Sequence, residues 1–143
     1  NTLKNRLRWD SKSLHHRDGN QFERYLLEYS LADRLVIDRG HVSEEVYGRI
    51  WRGGCPFDYD EINILDGIVK SKMLVIFAYP PNDLMKERYV NRDYKQQIKL
   101  SELVQAKRLF SFRMKKMPHI YYQSINMNEL NELVDNISGG LNI

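Results

Sequence analysis

Residues 73–79, from Met73 through Tyr79, are nearly all apolar and are followed at once by Pro80 and Pro81. A short, uninterrupted apolar run bounded by prolines suits a strand covered on both faces, because a half-exposed strand would alternate with polar residues. Neither proline can donate to a ladder, so the strand ends there. Strands buried on both faces belong to parallel sheets, and parallel neighbours need long, usually helical crossovers. This one run therefore predicts an α/β chain.

The remaining periodicities agree. Phe22, Tyr25, Leu26 and Tyr29 recur at helical spacing, with Glu23, Arg24 and Glu28 on the opposite face. Leu35, Val36 and Ile37 form a second short strand that ends at Asp38 and Arg39. Ser43 is a good N-cap for a helix reaching about Trp51, with Glu44 and Glu45 complementing its dipole and Gly53 and Gly54 stopping it. Asp58 or Asp60 can cap a further helix whose stripe is Ile62, Leu65, Ile68 and Val69. Asn82 or Asp83 caps another, to about Val90, and residues 91–99 are polar and aperiodic, as in a surface loop. Leu103, Ala106, Leu109, Phe110 and Met114 resume helical spacing, residues 119–123 read as a third strand, and Leu130, Leu133, Val134 and Ile137 form a closing helix marked off by Gly139. Strand and helix alternate, which predicts a parallel sheet with helices on both faces, folded as a single domain over residues 1–143. Such sheets bind ligands in the crevice beyond the carboxyl ends of the strands, where Asp38 and Arg39 fall.

Composition narrows the function classes. With 42% hydrophobic and 29% charged residues the chain resembles ordinary globular domains, which excludes a disordered or fibrous architecture. No apolar stretch approaches the roughly 20 residues of a membrane helix, and nothing resembles a signal peptide, so no membrane partner and a cytoplasmic location are expected. The lone Cys55 can form neither an internal disulfide nor a thiolate zinc site. His15 and His16 are adjacent and cannot easily face one metal. The formal charge of +3 favours anionic ligands. Arg39, Arg49, Arg52, Arg88 and Arg92 sit in or beside loops and helix ends instead of forming a basic run interleaved with aromatics, so nucleic acid is not the expected partner.

The segment Asp38, Arg39, Gly40, His41, Val42, Ser43, Glu44, Glu45, Val46, Tyr47 resembles the signature of thymidylate kinases, in which Asp-Arg is followed by an aromatic or His, then Ser and, four residues on, Tyr. Arg52-Gly53 falls where some members carry Arg-Gly. Residues 84–93 resemble the family's lid, with Arg88, Arg92 and Asp93 in the expected places and the lid spanning about 88–99. The resemblance covers roughly residues 22–137 and is similar to phage-type members in its brevity. It implies a P-loop kinase-like fold with a mobile lid, ATP and Mg²⁺ as cofactors, and transfer of the ATP γ-phosphoryl group to a deoxynucleoside monophosphate, dTMP first. Nucleotide substrates are then the partners, with a homodimer as a candidate assembly. One feature of the family has no counterpart, because no Gly-rich loop ending in Gly-Lys-Ser/Thr occurs in the 143 residues. The expectation is that a strand and that phosphate loop lie upstream of these residues.

The roles implied by the resemblance can be weighed against plainer ones. Arg39 would grip the acceptor phosphate, since a guanidinium can pair two oxygens, or else form a structural ion pair. Asp38 would hold magnesium through water, or else orient a neighbouring arginine. Arg88 and Arg92 would close over the phosphates and neutralise charge, or else lie on a solvated helix face. Tyr47 would lie against the sugar, or else belong to the core. His41, Ser43, Glu44 and Arg52 complete the expected acceptor site. As a carboxylate Glu44 accepts hydrogen bonds only, which favours a base edge bearing N–H donors. A deoxynucleoside kinase on the same fold and a non-catalytic nucleotide-binding domain remain the alternatives.

Overall fold

The computed structural model describes residues 2–91 and 98–140, with side chains from residue 4 onward. The order is α1 (Thr2–Leu7), β1 (Asp10–Ser13), α2 (Gln21–Leu31), β2 (Leu35–Asp38), α3 (His41–Trp51), α4 (Tyr59–Lys72), β3 (Ile76–Ala78), α5 (Asn82–Asn91), α6 (Leu100–Met114), β4 (Ile120–Tyr122) and α7 (Met127–Gly140). The α/β class and the parallel pairing are as expected. The expected single sheet is divided. β1 pairs with β2, Asp10 opposite Leu35, and β3 pairs with β4, Ile76 opposite Ile120, both in parallel. No ladder joins β2 to β3 among the described residues.

Other expectations need correction. The run 73–79 is not covered on both faces, since only Ile76–Ala78 is strand and Leu74 is 54% exposed. β1, which reads Asp-Ser-Lys-Ser, carries no apolar signal because it is an exposed edge strand, with Lys12 paired to Glu28 at 2.6 Å. Ser43 is not the cap of α3. The N-cap is Gly40, which makes no side-chain cap bond, and the Ser43 N–H donates to the Gly40 carbonyl at 3.0 Å. Asp58 does cap α4, in a reciprocal box with Glu61. α3 ends on the N–H groups of Arg52 and Gly54, which both donate to the Gly48 carbonyl. A Cβ on Gly48 would sit 2.5 Å from the Gly54 carbonyl oxygen, so that close return requires glycine. α7 includes Gly139.

The main core joins α2, α4 and the end of α6 through Tyr25, Tyr29, Phe57, Leu65, Val69 and Met114, with β2 and β3 contributing Ile37 and Phe77. α1 packs against α7 and β2, where Leu7, Val134 and Ile137 are buried. Inside this apolar frame lies a charged lattice. Arg113 of α6 grips Glu45 of α3 with Nε and a terminal nitrogen at 2.9 and 3.0 Å, and reaches Asp66 of α4 at 2.5 Å. Asp66 lies 2.7 Å from His41 Nε2, and His41 Nδ1 lies 2.9 Å from the Tyr29 hydroxyl. Burial alone would raise the Asp66 carboxyl, but the bonds from His41 and Arg113 outweigh it and hold Asp66 below its ordinary value.

A buried pair contributes little net stability when intact and costs much when halved, because the remaining charge stays desolvated. Arg113→Ala is therefore expected to lower the unfolding free energy by about 3–5 kcal/mol in urea titration. Arg6→Ala should change it by less than about 1 kcal/mol, because the Arg6–Asp135 pair at 2.5 Å is more than half exposed on both sides.

Candidate functional site

A cleft of about 720 Å³ opens between β2 and β3. Its flanks are the apolar strand residues, with polar residues at Asp38, Arg39, Ser43 and Tyr47 where β2 ends and at Asp33, Arg34 and Lys72 away from that end. The helical spacing of α3 explains the choice. Ser43 and Tyr47 are four apart and share the face turned to the cleft. Glu44, Gly48 and Arg52 share a second face. His41 and Glu45 share a third, which is buried.

Asp38 is exposed at the strand end, and among the described residues its carboxylate carries no hydrogen bond or ion pair, although its backbone carbonyl accepts from the Leu14 N–H at 3.0 Å. An open carboxylate fits the hydrated, single-carboxylate binding that magnesium usually adopts beside substrate phosphates. Arg39 is exposed, with φ of 71°, and its guanidinium lies 3.4 Å from His15 Nδ1. The structural ion pair considered for Arg39 is not formed with any described acid. Tyr47 packs its ring on Trp51 at 5.0 Å and on Phe110 at 5.7 Å. Burial raises its hydroxyl pKa, Arg39 draws it down and Asp38 pushes it up again, so the group stays protonated at neutral pH. Tyr47 is thus both packed and present in the cleft wall.

The second face of α3 looks elsewhere. A separate polar depression of about 510 Å³ is lined by His16, Arg17, Asp18, Gly19, Arg52 and the Gly53–Gly54 turn. The buried Glu44 carboxylate is held at 2.9 Å by Arg52 and at 3.1 Å by His16 Nδ1, with the Tyr25 hydroxyl at 3.4 Å. Burial first, and Glu44 next, push the Tyr25 hydroxyl well above its usual range. The sequence-derived acceptor set is therefore split, with Asp38, Arg39, Ser43 and Tyr47 at the cleft, Glu44 and Arg52 on the far side of α3, and His41 buried in the cleft wall.

Both ring nitrogens of His41 are engaged. The Tyr29 hydroxyl accepts the His41 backbone N–H at 2.7 Å and lies 2.9 Å from Nδ1, while Nε2 lies 2.7 Å from the Asp66 carboxylate. Gly40 makes room for this contact, because a Cβ there would fall 2.8 Å from the Tyr29 oxygen. His41, Glu45 and Asp66 could by spacing hold a metal ion, but the Arg113 guanidinium already supplies their counter-charge. Arg88 does not line the cleft. Its guanidinium binds the Ser124 carbonyl and, at 3.3 Å, the Ser124 hydroxyl. Arg92, Asp93 and the rest of residues 92–97 of the expected lid lie outside the described residues.

His15 beside Arg39 and the Arg113 lattice were missed from sequence. Arg113 and Glu45 are 68 residues apart, and no local pattern links them. Lys107, whose ammonium sits 4.2 Å from the Tyr79 ring centroid and 2.5 Å from Asn82, was likewise silent.

No protein-family model and no curated protein sequence matches the chain. Among solved structures, the YorR protein from Bacillus subtilis, determined in complex with phosphorylated GDP, is similar in fold, with a TM-score of 0.84 at 16% identity over 99% of this chain and 85% of that one. No helix of the described residues is long and apolar enough to cross a membrane.

Two outcomes test this geometry. Gly40→Ala should cost about 1–3 kcal/mol, because the fully buried Tyr29 ring cannot retreat from the new methyl, and Tyr29→Phe should partly relieve it in a double-mutant cycle. The Asp66 carboxyl is depressed from its ordinary 3.8, so its contribution is complete above that value and is lost as pH falls through the folded-state value. Asp66→Asn should then be much less stable than the parent near pH 7 and approach it near pH 3, measured by urea unfolding at both.

Proposed function

We propose that the mouth of the cleft is the acceptor side of a nucleotide kinase, one that passes the ATP γ-phosphoryl group to a deoxynucleoside monophosphate, with dTMP the first acceptor to try. The observation that carries this reading is the position of Arg39. It follows a parallel strand directly, stands exposed at the cleft mouth, and has an imidazole instead of a carboxylate as its hydrogen-bond partner. A guanidinium so placed is ready to pair two oxygens of a phosphate. The fold shared with a protein that binds phosphorylated GDP supports a nucleotide ligand, and adds dGMP to the acceptors worth testing.

Each side chain then has a physical task. Arg39 holds the acceptor phosphate at the strand end, the Ser43 hydroxyl is within the same wall, and Tyr47 offers a protonated phenol on a ring fixed by Trp51 and Phe110. His41 positions the Arg39 loop from inside. Asp38 would hold Mg²⁺ through water, and that ion when bound neutralises charge shared between phosphates. A monophosphate acceptor already carries its nucleophilic oxygen, so no general base is required of this chain. Glu44 and Arg52 support α3 and the depression behind it. Arg88 reaches phosphates only if it leaves Ser124, which makes the Ser124 contact part of the lid's resting state. The donor phosphates need a Gly-rich loop, and that loop is not within the 143 residues.

Acceptor binding tests the reading without requiring turnover. The chain should bind dTMP or dGMP more tightly than the corresponding deoxynucleoside in calorimetry. Arg39→Ala should weaken the monophosphate by about 10- to 100-fold, the worth of one charge-assisted contact of ~1.5–3 kcal/mol, and leave the nucleoside unchanged. Monophosphate affinity that survives the substitution would refute the placement, and a preference for the nucleoside would favour the deoxynucleoside kinase instead.

A further inference from the structure

The positive charge of the chain is unevenly spread. Residues 98–128 hold Lys99, Lys107, Arg108, Arg113, Lys115 and Lys116 against one carboxylate, Glu102, a balance of five positive charges where the whole chain has three. The rest of the chain is therefore slightly acidic. Arg113 is spent on Glu45 and Asp66, and Glu102 accepts the Trp51 indole N–H at 2.9 Å at the start of α6. Arg108, Lys115 and Lys116 are exposed, and among the described residues none of them is paired with an acid.

Helical spacing puts these cations on one side of α6 with an aromatic ring among them. Arg108 and Phe112 are four apart, and Phe112 and Lys116 four again, so the three share a row with Lys115 beside it. Phe112 is 64% exposed, and the Lys116 ammonium lies 5.9 Å from its ring centroid. The basic strip continues onto the sheet. Lys107 sits 4.2 Å from the Tyr79 ring centroid, and the Tyr79 ring lies 5.7 Å from that of Tyr121, which is 50% exposed on β4. Tyr121 stands on the α6 side of β4, because it is registered opposite Phe77, whose ring meets Phe110 of α6. In the sequence this stretch reads as the apolar stripe of α6. Only the packing separates Phe110, turned onto Tyr47 and Phe77, from Phe112, turned out.

The chemistry of such a face selects its partner. Ammonium and guanidinium groups attract phosphates, and an exposed ring can stack on a nucleobase. A single strand offers phosphates and free base faces along its length, whereas a duplex hides the base faces. An acidic peptide or an anionic lipid surface would use the cations and leave the rings without a task. We propose that this face of α6 and β4 is a binding surface for single-stranded nucleic acid, with Phe112 and Tyr121 as stacking platforms and Arg108, Lys115 and Lys116 as phosphate contacts. None of these five residues lines the cleft, and the inference does not depend on the kinase reading.

The probe is a fluorescently labelled oligothymidylate of about 20 nucleotides without a terminal phosphate, followed by anisotropy at low salt. It should bind saturably, and more tightly than a duplex of equal length or than polyphosphate, which has the charge without the bases. Affinity should fall with salt, with a logarithmic slope of about −0.7 for each phosphate contacted, and Lys115→Gln with Lys116→Gln should flatten that slope. Phe112→Ala should weaken binding by about tenfold and leave the slope unchanged, since it removes a stacking contact and no charge. Tyr121→Ala reads out the other ring, and circular dichroism checks that both variants are folded. Arg39→Ala should not alter oligonucleotide affinity, which separates this surface from the cleft. The proposal is overturned by absence of binding at low salt, by polyphosphate or duplex binding as tightly as the single strand, or by full affinity in both aromatic variants. Loss of oligonucleotide binding in Arg39→Ala would move the contact to the cleft, and capture by phosphatidylserine vesicles without oligonucleotide binding would make the partner a membrane; either result also overturns it.

Discussion

The Arg113 guanidinium is the contact through which the helices of this chain are held in a fixed relation. It belongs to α6, yet its two carboxylate partners come from α3 and α4, and one of them passes the link through His41 to Tyr29 of α2. Four helices thus meet at one chain of charge-assisted bonds. Apolar packing tolerates sliding among shapes of similar volume, whereas a bidentate arginine fixes distance and angle together. Burial disfavours the arginine's charge, but Glu45 and Asp66 more than restore it, so Arg113 stays charged. Its net contribution to stability need not be large for its contribution to register to be large.

The consequences reach the candidate site through a single short segment. β2 ends at Asp38, whose carbonyl is fixed by Leu14, and α3 begins at His41, whose N–H and ring are fixed by Tyr29 and Asp66. Only Arg39 and Gly40 span the gap. With both ends held, Arg39 adopts φ of 71°, a left-handed conformation that is unfavourable for a residue with a Cβ. Such a conformation persists only where its surroundings over-determine it, and here they visibly do. The strain turns the Arg39 side chain away from the core and towards the cleft mouth.

Much of this was legible in the sequence, and what was not shares a cause. The α/β alternation, the strand ending at Asp38 and the Asp58 cap are all local signals, written within a few residues of where they act. Gly40 as the cap of α3 was not legible, because its glycine is demanded by Tyr29, eleven residues upstream in another helix. β1 escaped because an edge strand exposed to water has no need of apolar residues. The split of the sequence-derived site was readable in principle from helical spacing, since 43 and 47 share one face and 44 and 52 another. The resemblance to a linear motif hid it by presenting those residues as one set. The Arg113 lattice and the Arg88–Ser124 contact join distant segments, and single-sequence reasoning offers nothing there.

The divided sheet bears on how the site could be built at all. A strand end positions the arginine that follows it well only if the strand itself is rigid, and β2 is hydrogen-bonded along one edge for four residues. The Arg113 lattice secures the loop after β2 from the α3 side, and the β1 ladder secures β2 from the other. Across the cleft no ladder joins β2 to β3 among the described residues, and the link between them is apolar, through Ile37 and Phe77 packed against one core cluster.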